Sequence, residues 1–228
     1  FHPDVLGPML PPMPYAAAAA LFRPEPVQEQ WPGTGGDEDP VLLAFLAGAG
    51  PMLADFPAAH ALEGRRGAEL LDRIGPAILV THSAGGPTGW MTTDARPELV
   101  RAHVAIEVMG PPFAVNETMG VSLDWGLTAA PLAYDPPVAD PAELRDGSPR
   151  RLANVSAAPI AVVTSECSPF AAFDGELVEF LRGAGCDVDL VRLADRGVCG
   201  NGHGLMWESN NREALGVVLD WLASRGLT

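Results

Sequence analysis

The chain has 228 residues, 47% of them apolar and 19% charged, with a formal net charge of −15. That length and balance suit one folded domain with a sizeable core and exclude an intrinsically disordered chain. An acidic chain repels phosphate backbones, which excludes nucleic acid as an expected partner, and no apolar run approaches the ~18–20 residues that cross a bilayer, so no membrane partner is expected either.

The cysteines are Cys167, Cys186 and Cys199. An odd count does not make a disulfide framework. A single bridge between Cys167 and Cys199, each of which lies beside a motif described below, stays open.

Residues 1–40 are rich in Pro and Gly and read as irregular chain, with a short Ala-rich helix near 15–22. The run Gly36-Asp37-Glu38-Asp39-Pro40 predicts the start of a helix over 41–47, because acidic residues suit a helix N-terminus. Helical spacing returns over 57–73, with Leu62, Leu70, Leu71 and Ile74 expected to face inward and Gly75-Pro76 as the stop. Then comes a short unalternated apolar run at 77–81, as expected for a strand buried on both faces of a parallel sheet. Similar runs stand at 102–106, 160–164 and 188–193. Helical stretches separate them at about 85–95, 171–184 and 209–224.

Strands alternating with helices predict an α/β fold with a parallel sheet. The long stretch 110–157 has the length of a cap inserted over a site rather than of a connecting loop. No credible strand precedes Val80, so the early strands of such a sheet are expected to lie outside this chain. The sheet edge left by their absence is expected to be apolar and prone to aggregation.

The segment Ile78-Leu79-Val80-Thr81-His82-Ser83-Ala84-Gly85-Gly86 places a serine between a buried strand and a helix. A sharp strand-to-helix turn lifts the serine oxygen into the open. It also aims the next backbone N–H, here that of Ala84, at a developing oxyanion, with the helix N-terminus adding positive potential. Small residues two before and two after the serine are expected to keep such a turn free of clashes. Gly85 fits that rule, while Thr81 stands where glycine is usual.

A serine hydroxyl needs a base. His203, in Gly200-Asn201-Gly202-His203-Gly204, is the one histidine late in the chain, and its glycine-flanked loop follows the last strand. His103 falls in an apolar periodic stretch and reads as structural. His82 reads as packing behind the nucleophile, and His2 and His60 lack a motif. Two acids stand at carboxyl ends of strands, where sites of open α/β sheets gather: Glu107 and Glu166. Residue order alone leaves both open. No metal-ligand spacing and no phosphate-cradling glycine loop is present, so no cofactor or metal is expected.

These segments, with Gly110-Pro111-Pro112-Phe113, Asn210-Asn211, Trp125-Gly126-Leu127-Thr128 and Tyr134-Asp135-Pro136-Pro137, resemble a group of α/β-hydrolases that contains bacterial carboxylesterases and related fungal hydrolases. The resemblance runs over the whole chain and implies a single α/β-hydrolase domain with 110–157 as its cap. It implies Glu107 as the triad acid, with Glu166 as the alternative, and places Phe1-His2-Pro3-Asp4 just after a fourth strand that would precede this chain. The expected activity is cleavage of a small-molecule carboxylic ester or lactone through an acyl-enzyme, with Ser83 as nucleophile, His203 as base and Trp125 and Tyr134 lining the substrate pocket. A homodimer is left open. The rival readings are a non-catalytic binding module and a lyase on the same fold.

Overall fold

The computed structural model describes residues 7–23, 29–117, 119–145 and 150–227. The Phe1-His2-Pro3-Asp4 segment lies outside them. The chain divides into two compact units, one of residues 1–53, 163–172 and 191–228, the other of 54–162 and 173–190.

The second unit is built around a sheet. Strands β3 (Ala77–His82) and β4 (Val100–Ile106) pair in parallel, with His82 opposite Ile106. They continue a sheet in the order β10-β9-β4-β3, where β9 is Ile160–Thr164 and β10 is Val188–Arg192. Every residue of β9 is buried, and β4 is buried at all but its second and last positions. The unalternated apolar runs at these strands therefore report burial on both faces. β3 departs from that expectation. It lies at the edge of the described sheet, and Val80 is 58% exposed.

Helix α3 (Phe56–Ile74) starts at Asp55, whose carboxylate accepts the Ala58 N–H at 3.0 Å, and stops at Gly75, whose φ of 83° only glycine adopts freely. Its inward face corrects the sequence reading. Leu71 is buried and Leu62 half-buried, but Leu70 and Ile74 are exposed. The buried stripe is Phe56, Ala59, His60, Gly64, Ala68 and Leu71. The reason is close packing against helix α4 (Gly86–Ala95). A Cβ on Gly64 would fall 2.5 Å from the Met91 Cβ, and one on Gly67 would fall 2.1 Å from the Thr92 Oγ1. Small residues let the two helices approach, and the larger leucines are left on the other side.

The stretch 110–157 contains two short antiparallel pairs, β5 (Val115–Asn116) with β6 (Val121–Ser122) and β7 (Tyr134–Asp135) with β8 (Arg151–Leu152). Leu127, Leu132, Tyr134, Leu152 and Val155 share one apolar cluster with Trp90, Val162 and, from helix α5 (Asp174–Gly183), Leu177.

In the first unit, β1 (Met9–Leu10) and β2 (Met52–Leu53) form a small antiparallel pair that the Pro content of this region concealed. Helix α1 (Tyr15–Phe22) follows the Ala-rich run as expected. Helix α2 (Pro40–Gly48) starts where the acidic run ends. Asp39 caps it, accepting the Val41 N–H at 2.9 Å and the Leu42 N–H at 3.2 Å, with Pro40 in the first turn. Phe22 and Leu42 pack with Trp31, Phe45 and Trp207. Helix α6 (Asn211–Ser224) buries Val217, Val218, Trp221 and Leu222. No helix of the described residues is long and apolar enough to cross a membrane.

Candidate active site

Ser83 stands directly after β3, in a short 3-10 turn that leads into α4. Its φ is +55°, a left-handed conformation that costs a non-glycine residue about 1–2 kcal/mol. Backbone strain of this kind clusters at functional sites. Glu107 stands directly after β4, is completely buried, and is also left-handed, with φ +44°. Because His82 pairs with Ile106, Ser83 and Glu107 leave neighbouring strands at the same level. The Met109 N–H donates to the Ser83 carbonyl at 2.9 Å, tying the two strand-end turns together.

The residues that shape this turn differ from those the motif named. A Cβ added to Gly85 would meet nothing within 4 Å. Gly86 and Gly89 are the constrained positions. A Cβ on Gly86 would fall 2.5 Å from the Val108 Cβ, and one on Gly89 would fall 2.4 Å from the His103 ring. The first helical turn therefore sits close against the end of β4. Thr81 also finds a purpose. Its hydroxyl bonds the His103 Nε2 at 2.8 Å beneath the helix. His103 is buried against Trp90, with ring centroids 4.3 Å apart, and burial pushes its pKa down to about 3. It is a neutral core histidine, as its periodic context implied. His60 is another: buried in α3, it accepts the Ala129 N–H, and burial lowers its pKa to about 4.

His203 lies in the first unit and is completely buried. Its loop is held by Glu208 and Ser165, which sequence reasoning did not single out, and by Asn201 and Asn210 of the motifs quoted above. Glu208, itself buried, accepts the Gly202 N–H at 2.9 Å and an Asn201 amide N–H at 2.6 Å. Asn201 and Asn210 exchange side-chain hydrogen bonds at 2.6 and 2.9 Å. The Ser165 hydroxyl donates to the Gly202 carbonyl at 2.8 Å. Two phenyl rings lie nearly parallel to the imidazole, Phe170 at 4.3 Å and Phe22 at 5.4 Å between centroids. Burial lowers the His203 pKa to about 4, so the ring is neutral near pH 7. The available signal in the sequence was the glutamate five residues after His203, but one polar residue among five carries little weight without the fold.

Glu166 also belongs to the first unit. Its exposed side chain accepts the Gly200 N–H at 2.9 Å, and so ties down the loop that carries His203. No disulfide joins Cys167, Cys186 or Cys199, so the Cys167–Cys199 bridge left open above is not formed. Cys167 is instead linked to the loop through its backbone N–H, which donates to the Asn201 carbonyl at 3.0 Å.

Tyr134 belongs to the apolar core cluster. It is buried, its hydroxyl donates to the Trp125 carbonyl at 2.7 Å, and burial raises its pKa. Trp125 packs, partly buried, against the same cluster.

No family model matches the chain. A protein described as "Probable secreted lipase phiG", from Fungal sp. (strain ATCC 74256), is 38% identical to it over 212 residues, covering 85% of this chain and 58% of that protein. The chain resembles the α/β-hydrolase-type esterases and lipases. Its sheet and flanking helices match the atomic-resolution structure of a bacterial esterase with a TM-score of 0.61 at 17% identity. That match covers 97% of this chain and 60% of the esterase chain. The fold shared with that structure is a central parallel sheet flanked by helices and, among the described residues, not a closed barrel. The chain spans under two thirds of the length of both relatives.

Proposed function

We propose that this chain carries the catalytic portion of a serine hydrolase acting on carboxylic esters or lactones. The observation that carries the reading is the strained, left-handed Ser83 on the turn between β3 and α4. Likeness to a protein named as a lipase and to the fold of an esterase supports the same chemistry.

In this reading, Ser83 Oγ attacks the carbonyl carbon of the ester while His203 takes the hydroxyl proton. The carbonyl electrons move onto oxygen, and the backbone N–H of Ala84, at the head of α4, faces the resulting anion. One such donor is worth about 3–4 kcal/mol. Collapse expels the alcohol, which receives the proton from His203. Water then repeats the sequence on the acyl-serine, releasing the acid and restoring Ser83. Glu107 is the proposed acid that orients the imidazole and stabilises its cation. Its complete burial and its level with Ser83 favour it over Glu166, whose carboxylate is occupied by the Gly200 N–H.

The test is labelling of the purified chain with a fluorophosphonate, followed by mass spectrometry to locate the adduct. Ser83 should be modified and Ser83→Ala should not. Glu107→Gln should slow labelling by at least about tenfold more than Glu166→Gln. Equal rates for both variants would remove Glu107 from the triad, and a folded chain that resists the probe would favour a binding module.

A further inference from the structure

His203 faces a physical conflict. A buried imidazole resists protonation, yet the proposed reaction makes it an imidazolium in each half of the cycle. Beside the proposed Glu107 carboxylate, a neutral group that favours the cation would ease that conflict. The stacked phenyl ring of Phe170 has the right character, because an aromatic face carries partial negative charge and attracts a cation most strongly where water is excluded.

Its placement is built. Phe170 lies on the 3-10 turn Pro169–Ala172, just beyond β9. Its backbone N–H donates to the Ser168 Oγ at 3.2 Å, and the Ala171 N–H donates to the Ser168 carbonyl at 3.2 Å. Ser168 is buried, so the turn is anchored from beneath. The phenyl and imidazole planes meet at only 12°, with centroids 4.3 Å apart. The Phe22 ring is more loosely placed, at 24° and 5.4 Å, and is shared with Phe45 and Trp207.

We propose that Phe170 is a positioning residue for His203, its ring face fixing the imidazole plane and favouring the imidazolium during acyl transfer. This rests on His203 being the base of the proposed triad. A role in shape alone would be satisfied by any apolar side chain of similar bulk, whereas an electronic role needs the aromatic face.

The experiment compares Phe170→Leu and Phe170→Tyr in the full chain, by hydrolysis of p-nitrophenyl acetate, by the rate of fluorophosphonate labelling, and by the NMR resonance of the His203 Cε1–H. Phe170→Leu should lower kcat and labelling by about 10–30-fold, with KM changed less than twofold. Phe170→Tyr should restore both to within about threefold of the parent. The Cε1–H resonance, displaced by the ring current of Phe170, should move in Phe170→Leu and stay in Phe170→Tyr. Full activity in Phe170→Leu, or equal loss in the two variants, would overturn the proposal. A parent chain that neither turns over ester nor labels would overturn the triad reading, and with it any catalytic use of Phe170; in that case the displaced Cε1–H resonance would still report the stack itself.

Discussion

Ser83 and Glu107 stand one residue beyond the paired positions His82 and Ile106, and both have left-handed backbone. Two adjacent strands thus end in the same unusual conformation at the same level of the sheet. The left-handed backbone breaks the alternation of a continuing strand at the carboxyl edge, where sites of parallel sheets form.

That strain predicts a separation of stability from activity. Glycine adopts φ +55° at no steric cost. Ser83→Gly should therefore raise the unfolding free energy by about 1 kcal/mol while abolishing ester turnover. Urea titration of both proteins checks the first half. A loss of stability would mean that side-chain bonds of Ser83 outweigh its backbone strain.

The glycines around the turn should divide sharply. Gly86→Ala and Gly89→Ala each drive a methyl group against Val108 or His103 and should cost about 1–3 kcal/mol. Gly85→Ala meets open space at a right-handed φ of −75° and should be neutral or stabilising by about 0.5 kcal/mol. Thermal unfolding of the three variants tests the order.

Glu208 holds the His203 loop by the Gly202 N–H and the Asn201 amide. Glu208→Ala leaves both donors buried without their acceptor, at about 1–3 kcal/mol each. It should lower the unfolding midpoint and kcat together. Glu208→Gln keeps one acceptor oxygen and should fall between the two. Equal stability of parent and Glu208→Ala would show that the loop is held by its other contacts.

Acid should destabilise the fold well above the carboxylate range. His60, His103 and His203 are held neutral by burial, with pKa values near 4, 3 and 4, against about 6.5 in the unfolded chain. Below pH 6.5 the unfolded state binds protons that the folded state does not, so stability is full above that pH and falls as pH drops toward 4. Each histidine contributes at most about 1.4 kcal/mol per pH unit in that window. Urea titrations at pH 7, 6 and 5 should show the decline, and His60→Gln should make it shallower. A flat profile over this range would contradict the burial of these rings in the neutral form.

Much of the fold was legible because local rules set it. Unalternated apolar runs marked β4 and β9, Asp39-Pro40 marked the start of α2, and Gly75 marked the end of α3. The serine between a strand and a helix was legible for the same reason: the turn is a local object. The sequence also distinguished His103, in an apolar stretch, from His203, in a glycine loop. Tertiary structure decided the rest. Helix periodicity could not say that Gly64 and Ala68, rather than Leu70 and Ile74, face inward, because that depends on how closely α4 approaches. The small-residue rule for the turn pointed to Gly85, but the crowding at Gly86 and Gly89 comes from Val108 and His103, distant in sequence. Glu208, Ser165 and Phe170 come together only when separate segments meet around His203. Local spacing determines which elements form and where they end; which side chains share a dry, crowded space is a property of long-range packing, and no single segment contains it.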